Sequence, residues 1–176
     1  SLEKMAALHA IDNVVQYTAE EMKTEQKRYI TGINCIPEFA TEQFMETKER
    51  YDKFDGRTCY HGYQAFKPGE GDPDTAHQIG VALAKELWGD RFEVVVATHL
   101  NTDHLHNHFL VNSVSYTDGL KYYNFNADYD RMREVSDRLC KEHQLSVVKY
   151  PKGKGKHYAE WSAEQNGKPT YRGMTK

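Results

Sequence analysis

Four of the nine histidines fall within ten positions, in the segment His99-Leu-Asn-Thr-Asp-His-Leu-His-Asn-His108. Alternate side chains of a strand share a face, so His106 and His108 point the same way, and His99, at the end of the preceding strand, reaches them across a hairpin. Imidazoles buried together without a metal would lose solvation and repel once protonated, so the cluster reads as a metal site of His99, His106 and His108. Three nitrogen ligands leave coordination positions open, the arrangement of a catalytic metal and not of a closed structural one. Ligand type alone favours zinc, nickel or copper. Asn101 and Asp103 lie between the ligands, where they either orient a ligand's second ring nitrogen or cap a turn. The scattered His9, His61, His77, His143 and His157 read as ordinary core or surface groups.

The elements that must position this cluster follow from periodicity and breakers. Met5, Leu8, Ile11, Val14 and Val15 recur at helical spacing, which predicts an amphipathic helix over the first twenty or so residues, with Tyr17 near its end. Arg28 to Asn34 reads as a strand, and Pro37 opens a second helix that runs to about Lys53 and stops at Asp55-Gly56. Thr58 to Phe66 is aromatic and extended, and Asp74 to Trp88 is a third helix. Phe92 to Thr98 is a near-continuous apolar run of strand length, expected to be covered on both faces. The histidine segment and FLVNSVSY then form two strands before the turn Asp118-Gly119. A helix from about Ala127 to His143 and a last strand over Ser146-Val-Val-Lys-Tyr150 complete the chain. The expected fold is α+β, an antiparallel-rich central sheet with helices packed on it.

A length of 176 residues with 39% apolar content suits one packed domain. No apolar run is long enough to span a bilayer, and the N-terminus lacks the layout of a signal peptide, so membrane insertion is not expected. Cys35, Cys59 and Cys140 lack CxxC spacing, which fits a reducing cytoplasm better than a disulfide framework. The net charge of −3 is unevenly distributed: Lys149 to Lys176 carries seven Lys/Arg against two Glu. That leaves residues 1–148 as the expected catalytic domain and 149–176 as a basic segment, either tracking a phosphate backbone or forming a solvated end. The start at Ser1 and the end at Lys176 suggest a piece of a longer chain.

Two families fit the histidine block. His104-Leu-His106-Asn-His108-Phe-Leu resembles the histidine-triad nucleotide hydrolases, but Asn107 breaks their apolar alternation and His99 has no role there. The longer string from His99 through Asp103 to His106 and His108, followed by FLVNSV, resembles the motif of MobA-like (MOBP-type) relaxases, the mobilisation nucleases of the HUH superfamily. Ile11-Asp-Asn-Val-Val-Gln-Tyr17 with Lys23-Thr24 is similar to the N-terminal relaxase motif, and Tyr60-His-Gly-Tyr-Gln-Ala-Phe-Lys-Pro-Gly-Glu70 to a second block. Segments around Asp118-Gly119, Ser136-Asp137 and Leu145-Ser146 extend the resemblance over roughly Ile11 to Tyr171. The relaxase is the preferred reading. Asn101 departs from the Asp usual in that family, so any orienting or proton-handling duty of that carboxylate is either lost or passed to Asp103. The strand that ordinarily precedes the tyrosine helix also has no counterpart here.

The resemblance implies a site- and strand-specific DNA nickase of the bacterial cytoplasm, acting at an origin of transfer in conjugation or mobilisation. Tyr17 would be the nucleophile, giving a 5′-phosphotyrosyl link, with Asp103 as a second catalytic residue. The implied cofactor is a divalent ion, magnesium or manganese, on His99, His106 and His108. Implied partners are single-stranded or extruded origin DNA, relaxosome accessory proteins and a coupling protein. Candidate DNA contacts are Lys23, Tyr63, Lys67, Lys121, Lys152, Lys154 and Lys156, with Tyr60, Phe66, Tyr122, Tyr123 and Phe125 as further aromatics for base stacking. A non-catalytic metal- and DNA-binding adaptor is the remaining alternative.

Overall fold

A computed structural model describes residues 2–21, 29–100, 104–123, 125–147, 159–165 and 168–170. The helices form where the sequence supplies both a start and an apolar stripe. They are α1 (Leu2–Glu21), α2 (Ala40–Tyr51), α3 (Pro73–Trp88) and α4 (Tyr129–Glu142). For α3 the start signal is chemical: Asp72 accepts the amide proton of Thr75 at 2.9 Å, and Pro73 occupies the first turn, where a missing N–H costs nothing. Helix α2 ends at Asp52, which adopts a left-handed conformation (φ 53°), three residues ahead of the expected Asp55-Gly56 stop.

The strands are β1 (Ile30–Ile33), β2 (Cys59–Ala65), β3 (Val94–His99), β4 (His106–Asn112), β5 (Ala159–Gln165) and β6 (Lys168–Thr170). They pair in the order β1-β3-β4-β2-β5-β6, with every pairing antiparallel. The fold is therefore α+β with an antiparallel sheet, as the element pattern predicts. One expected strand after the histidine hairpin is reduced to an isolated bridge, Val114 to Lys121, that closes the Asp118-Gly119 turn. Ser146 and Val147 are in no strand, and Val148 to Tyr150 lie outside the described residues. Within the basic C-terminal segment, Ala159–Gln165 and Lys168–Thr170 extend the sheet, β5 pairing with β2. That pairing is nonlocal and was not legible in the sequence.

The sheet has helices on both faces. On one, Val94, Val96, Phe109, Val111 and Tyr60 pack with Ile79, Leu83 and Trp88 of α3 and Met132 and Leu139 of α4. On the other, Cys59 and Leu110 pack with Ala7 and Ile11 of α1 and with Phe44 and Met45 of α2. Because β4 alternates, His106, His108, Leu110 and Asn112 share this second face. Helices α1 and α2 thus close over Leu110 and leave the other end of the same face to the histidines.

Beneath the histidines, on the α3 side, a single chain of side-chain hydrogen bonds crosses four strands. Asn107 lies between His106 and His108 and is fully buried. Its Nδ2 donates to the carbonyl of Ala76 at 2.9 Å, and since a carbonyl only accepts, the orientation of this amide is fixed. The other bonds then have one direction. Asn107 donates to Gln64 Oε1 (3.0 Å), whose Nε2 donates to Ser136 Oγ (2.7 Å). Thr98 donates to Asn107 Oδ1 (2.6 Å), so His77 Nδ1 must donate to Thr98 Oγ1 (2.8 Å), and Thr31 donates to His77 Nε2 (2.6 Å). Burial lowers the pKa of His77, in keeping with the neutral ring this direction requires.

Gly80 of α3 makes room for the amide: a Cβ there would meet Asn107 Nδ2 at 2.5 Å and Val96 Cγ1 at 3.2 Å. An exposed helical Gly→Ala substitution stabilises by about 1 kcal/mol, but here the added methyl displaces a fixed, buried amide. Gly80→Ala is therefore expected to lower stability by roughly 1–3 kcal/mol, read as a lower midpoint in urea unfolding followed by circular dichroism. A raised midpoint would show that Asn107 is not held as described.

Candidate metal and DNA-cleavage site

The β3–β4 hairpin delivers the three predicted histidines to one place. His99 pairs with His106, and Ala97 with His108, so the register sets His99 beside both β4 rings. Ring centroids are 4.7 Å apart for His99 and His106, 4.1 Å for His99 and His108, and 5.1 Å for His106 and His108. One nitrogen from each lies within 4.8 Å of the others, and all three residues are buried. Nitrogen ligands of one ion at about 2.1 Å stand roughly 3–3.5 Å apart, so rotations of about an ångström would complete such a site.

The chemistry of the rings fits a cation. Burial lowers the pKa of His99 to about 4. Burial, reinforced by repulsion from His61, His99 and His106, holds His108 well below the usual range. Both rings are neutral at pH 7, the form in which imidazole binds metal. His108 Nε2 is buried without a hydrogen-bond partner, an arrangement that ordinarily costs about 1–3 kcal/mol and that a bound ion would relieve.

Sequence reasoning missed His61. It lies on β2, and its Nε2 is 2.8 Å from Nδ1 of His108, on the side of the ring away from Nε2. Burial, with a smaller contribution from His99, lowers its pKa to about 4. The available signal was period two on Thr58 to Phe66, which puts His61, Tyr63 and Ala65 on one face, but nothing local says that this face adjoins the histidine hairpin.

The other predicted residues divide. Tyr63 lies against the cluster, its ring centroid 5.1 Å from His106 and 5.2 Å from His108. Lys67 is exposed just beyond β2, at the same end of the sheet, where Phe66 N donates to Leu105 O. Lys121 is elsewhere: it bonds Asp55 O, at the end of the sheet where Cys59 pairs with Asn112. Six residue steps along β4 separate that end from His106, roughly 20 Å at 3.4 Å per residue, so Lys121 does not border the histidines. Tyr60 and Phe66 are core residues and not stacking platforms. Tyr122 is engaged as well, donating to Asp128 Oδ2 at 2.7 Å and accepting from Trp88 Nε1 at 2.8 Å. Tyr123, two positions beyond Lys121, is 83% exposed.

Tyr17 belongs to the last turns of α1, and its side chain lies outside the described part of the structure, as does that of Phe125. Lys23, Asn101, Asp103, Lys152, Lys154 and Lys156 also lie outside the described residues.

Comparison with known proteins supplies the family. The model described as "Relaxase: MobA/VirD2-like, nuclease domain" matches residues 15–145, a span that runs from just before Tyr17 to beyond the histidines. The chain belongs to the MobA/VirD2-like relaxases. Among curated relatives of this relaxase domain, a "Protein rlx" of Staphylococcus aureus is 37% identical over 128 residues, covering 73% of this chain and 39% of the relative. Another "Protein rlx" of S. aureus is 31% identical over 172 residues, 96% of this chain and 49% of that one. The "Group II intron-interrupted relaxase LtrB" of Lactococcus lactis subsp. cremoris is 23% identical over 180 residues, 92% of this chain and 32% of the relative. The relaxase chain thus spans half or less of the length of these relatives. No solved structure matches it. The histidine-triad hydrolase alternative gives way to this match, and the geometry agrees: His104 precedes β4, while His99 completes the cluster.

The depressed histidines give the relaxase domain a pH dependence. His61 and His99 have folded pKa values of about 4 against ~6.5 unfolded, so between those limits the unfolded chain binds more protons and stability rises with pH. In chelator, the thermal midpoint should fall as pH drops from 6.5 towards 4. His61→Gln should flatten that slope. A midpoint unchanged across the window would show that these rings are not buried in neutral form.

Proposed function

We propose that this relaxase domain nicks one strand of DNA at an origin of transfer, with Tyr17 as nucleophile and the histidine cluster as the phosphate-activating centre. The observation that carries the reading is topological. Helix α1, which bears Tyr17, packs through Ala7 and Ile11 on the same face of the sheet as His106 and His108. Position 17 follows Ala10 on the same helix by seven residues, two helical turns. The match to the relaxase nuclease domain supports the same assignment.

In the proposed reaction the Tyr17 phenol oxygen attacks the scissile phosphorus and the 3′-oxygen leaves. The products are a 5′-phosphotyrosyl link and, after protonation, a free 3′-hydroxyl. A free phenol titrates near ~10 and needs help to lose its proton at neutral pH. Asp103, between His99 and His106 in sequence, is proposed to take that proton and to return it when the strand is rejoined. A divalent ion on His99, His106 and His108, magnesium or manganese, would draw off charge that builds on the non-bridging phosphate oxygens. Tyr63 lies against the cluster and Lys67 is exposed at the same end of the sheet, and both are proposed to hold single-stranded or extruded DNA there, the ring by stacking and the ammonium by phosphate contact. The bond exchange conserves the phosphodiester's energy, which allows strand transfer as well as nicking.

Incubation with labelled single-stranded origin DNA and manganese, followed by a denaturing gel, should show a protein–DNA adduct. Tyr17→Phe should abolish the adduct while manganese affinity stays within about threefold, because only the nucleophilic oxygen is removed. Cleavage by the wild type without an adduct would mean hydrolysis and defeat the reading.

The basic C-terminal segment is proposed to add phosphate contacts. Neutralising Lys152, Lys154 and Lys156 together should reduce the slope of log affinity against log salt by about 2, at ~0.7 per contact on single strands. An unchanged slope would assign these lysines no DNA role.

A further inference from the structure

His61 is outside the three-histidine set, yet its side chain is in direct contact with one of the three rings. Its Nε2 is 2.8 Å from Nδ1 of His108, and the two rings lie 4.9 Å apart, tilted by 33°. The two nitrogens share one proton, so one ring donates and the other accepts. If His108 is to offer Nε2 to a cation, its proton must be on Nδ1, and His61 must then accept it. We propose that His61 is a positioning residue, whose Nε2 accepts the Nδ1 proton of His108 and holds His108 in the tautomer that presents Nε2 to a divalent cation. The inference rests on the reading of His99, His106 and His108 as cation ligands.

Three features of the site support it. His108 Nε2, the atom so presented, is buried without a hydrogen-bond partner. The backbone fixes the partner, because Tyr63 pairs with His108 and Leu110 with His61, which sets His61 one step along the same face and diagonal to His108. Asn107, clamped by Ala76 O on the opposite face, holds β4 from below, so the His61–His108 contact completes the fixing of that strand's ligand from above.

The identity of the acceptor has a consequence for substrate. Ligand histidines usually donate to a carboxylate or a carbonyl. A carboxylate would bring a negative charge next to the centre. A neutral imidazole orients the ring without one and leaves the cation's full charge for an anionic phosphodiester. The expected class of ligand at the open positions is a phosphodiester oxygen, and the neutral His61 ring adds no negative charge beside it.

The test compares wild type, His61→Phe and His61→Gln, stripped of metal and titrated calorimetrically with manganese and cobalt at pH 7.5. His61→Phe keeps a ring but has no acceptor, and should bind 10- to 100-fold more weakly, in the usual range for loss of an outer-shell partner. His61→Gln retains an accepting oxygen and should stay within about threefold. Nitrogen-15 NMR of the zinc-loaded wild type needs no substitution and reads the tautomer directly: His108 should be protonated on Nδ1. Protonation of His108 on Nε2 overturns the proposal, even if the Phe variant fails to fold. Wild-type affinity in His61→Phe also overturns it while leaving the cation reading intact. Failure of wild type to bind manganese, cobalt or zinc removes the cation reading itself, and the role of His61 with it.

Discussion

The carbonyl of Ala76 accepts one proton from the buried amide of Asn107, and the geometry of the histidine hairpin depends on that bond. Because a carbonyl has no alternative role, it sets which end of the amide is oxygen. That choice propagates through Thr98, His77 and Thr31 on one side and Gln64 and Ser136 on the other. Six side chains from β1, α3, β3, β4, β2 and α4 are satisfied by it, and the loss of one partner would strand a buried polar group at about 1–3 kcal/mol. The chain runs under the strand positions flanking His99, His106, His108 and Tyr63, so the ladder that holds the strands in register also aims the rings. Gly80 is the space this arrangement requires.

Strand β4 carries two different kinds of buried polarity on its other face. At one end His108 is held neutral by burial and stands with His106 and His99 in the candidate metal cluster. At the other, Asn112 accepts from Lys48 Nζ at 2.8 Å and donates to Glu93 Oε1 at 3.0 Å. Lys48 also donates to Thr58 O and Ser113 Oγ, and Glu93 accepts from Thr47. Burial lowers the lysine's pKa to about 7 and raises that of the carboxyl, so both are held in a low-dielectric setting that tolerates them only because their hydrogen bonds are made. Leu110 lies between these ends under α1 and α2, an apolar plug that separates a structural polar cluster from the candidate reactive one.

Helices α3 and α4 stabilise the sheet from the face that bears no histidines. Helix α1 is on the histidine face, and this placement turns a helix carrying a tyrosine into a candidate carrier of the nucleophile. Sequence placed Tyr17 near the end of a helix, and the helix is there. Which face of the sheet the helix covers was not legible, and the buried side is not the expected stripe: Ala7, Ala10 and Ile11 are buried, whereas Met5 and Leu8, expected to share the apolar side with Ile11, are 68% and 46% exposed.

The same division runs through the molecule. Local chemistry was determined by the sequence alone: period two aligns His106 with His108, a two-strand hairpin returns His99 to them, Asp72-Pro73 starts α3, and Asp118-Gly119 turns the chain with Gly119 at φ 73°. These are short-range consequences of backbone geometry, and neighbours a few residues apart suffice to fix them. Tertiary structure alone decided the neighbours. It put β2 beside β4, which made His61 the partner of His108 and left Tyr63 against the cluster, while Tyr60 turned into the core. It sent Lys121 to the opposite end of the sheet and laid Ala159–Gln165 along β2. A strand's alternation states which residues share a face, but strand order is fixed by burial and hydrogen bonding among segments far apart in the chain, and that information is not contained in any one segment.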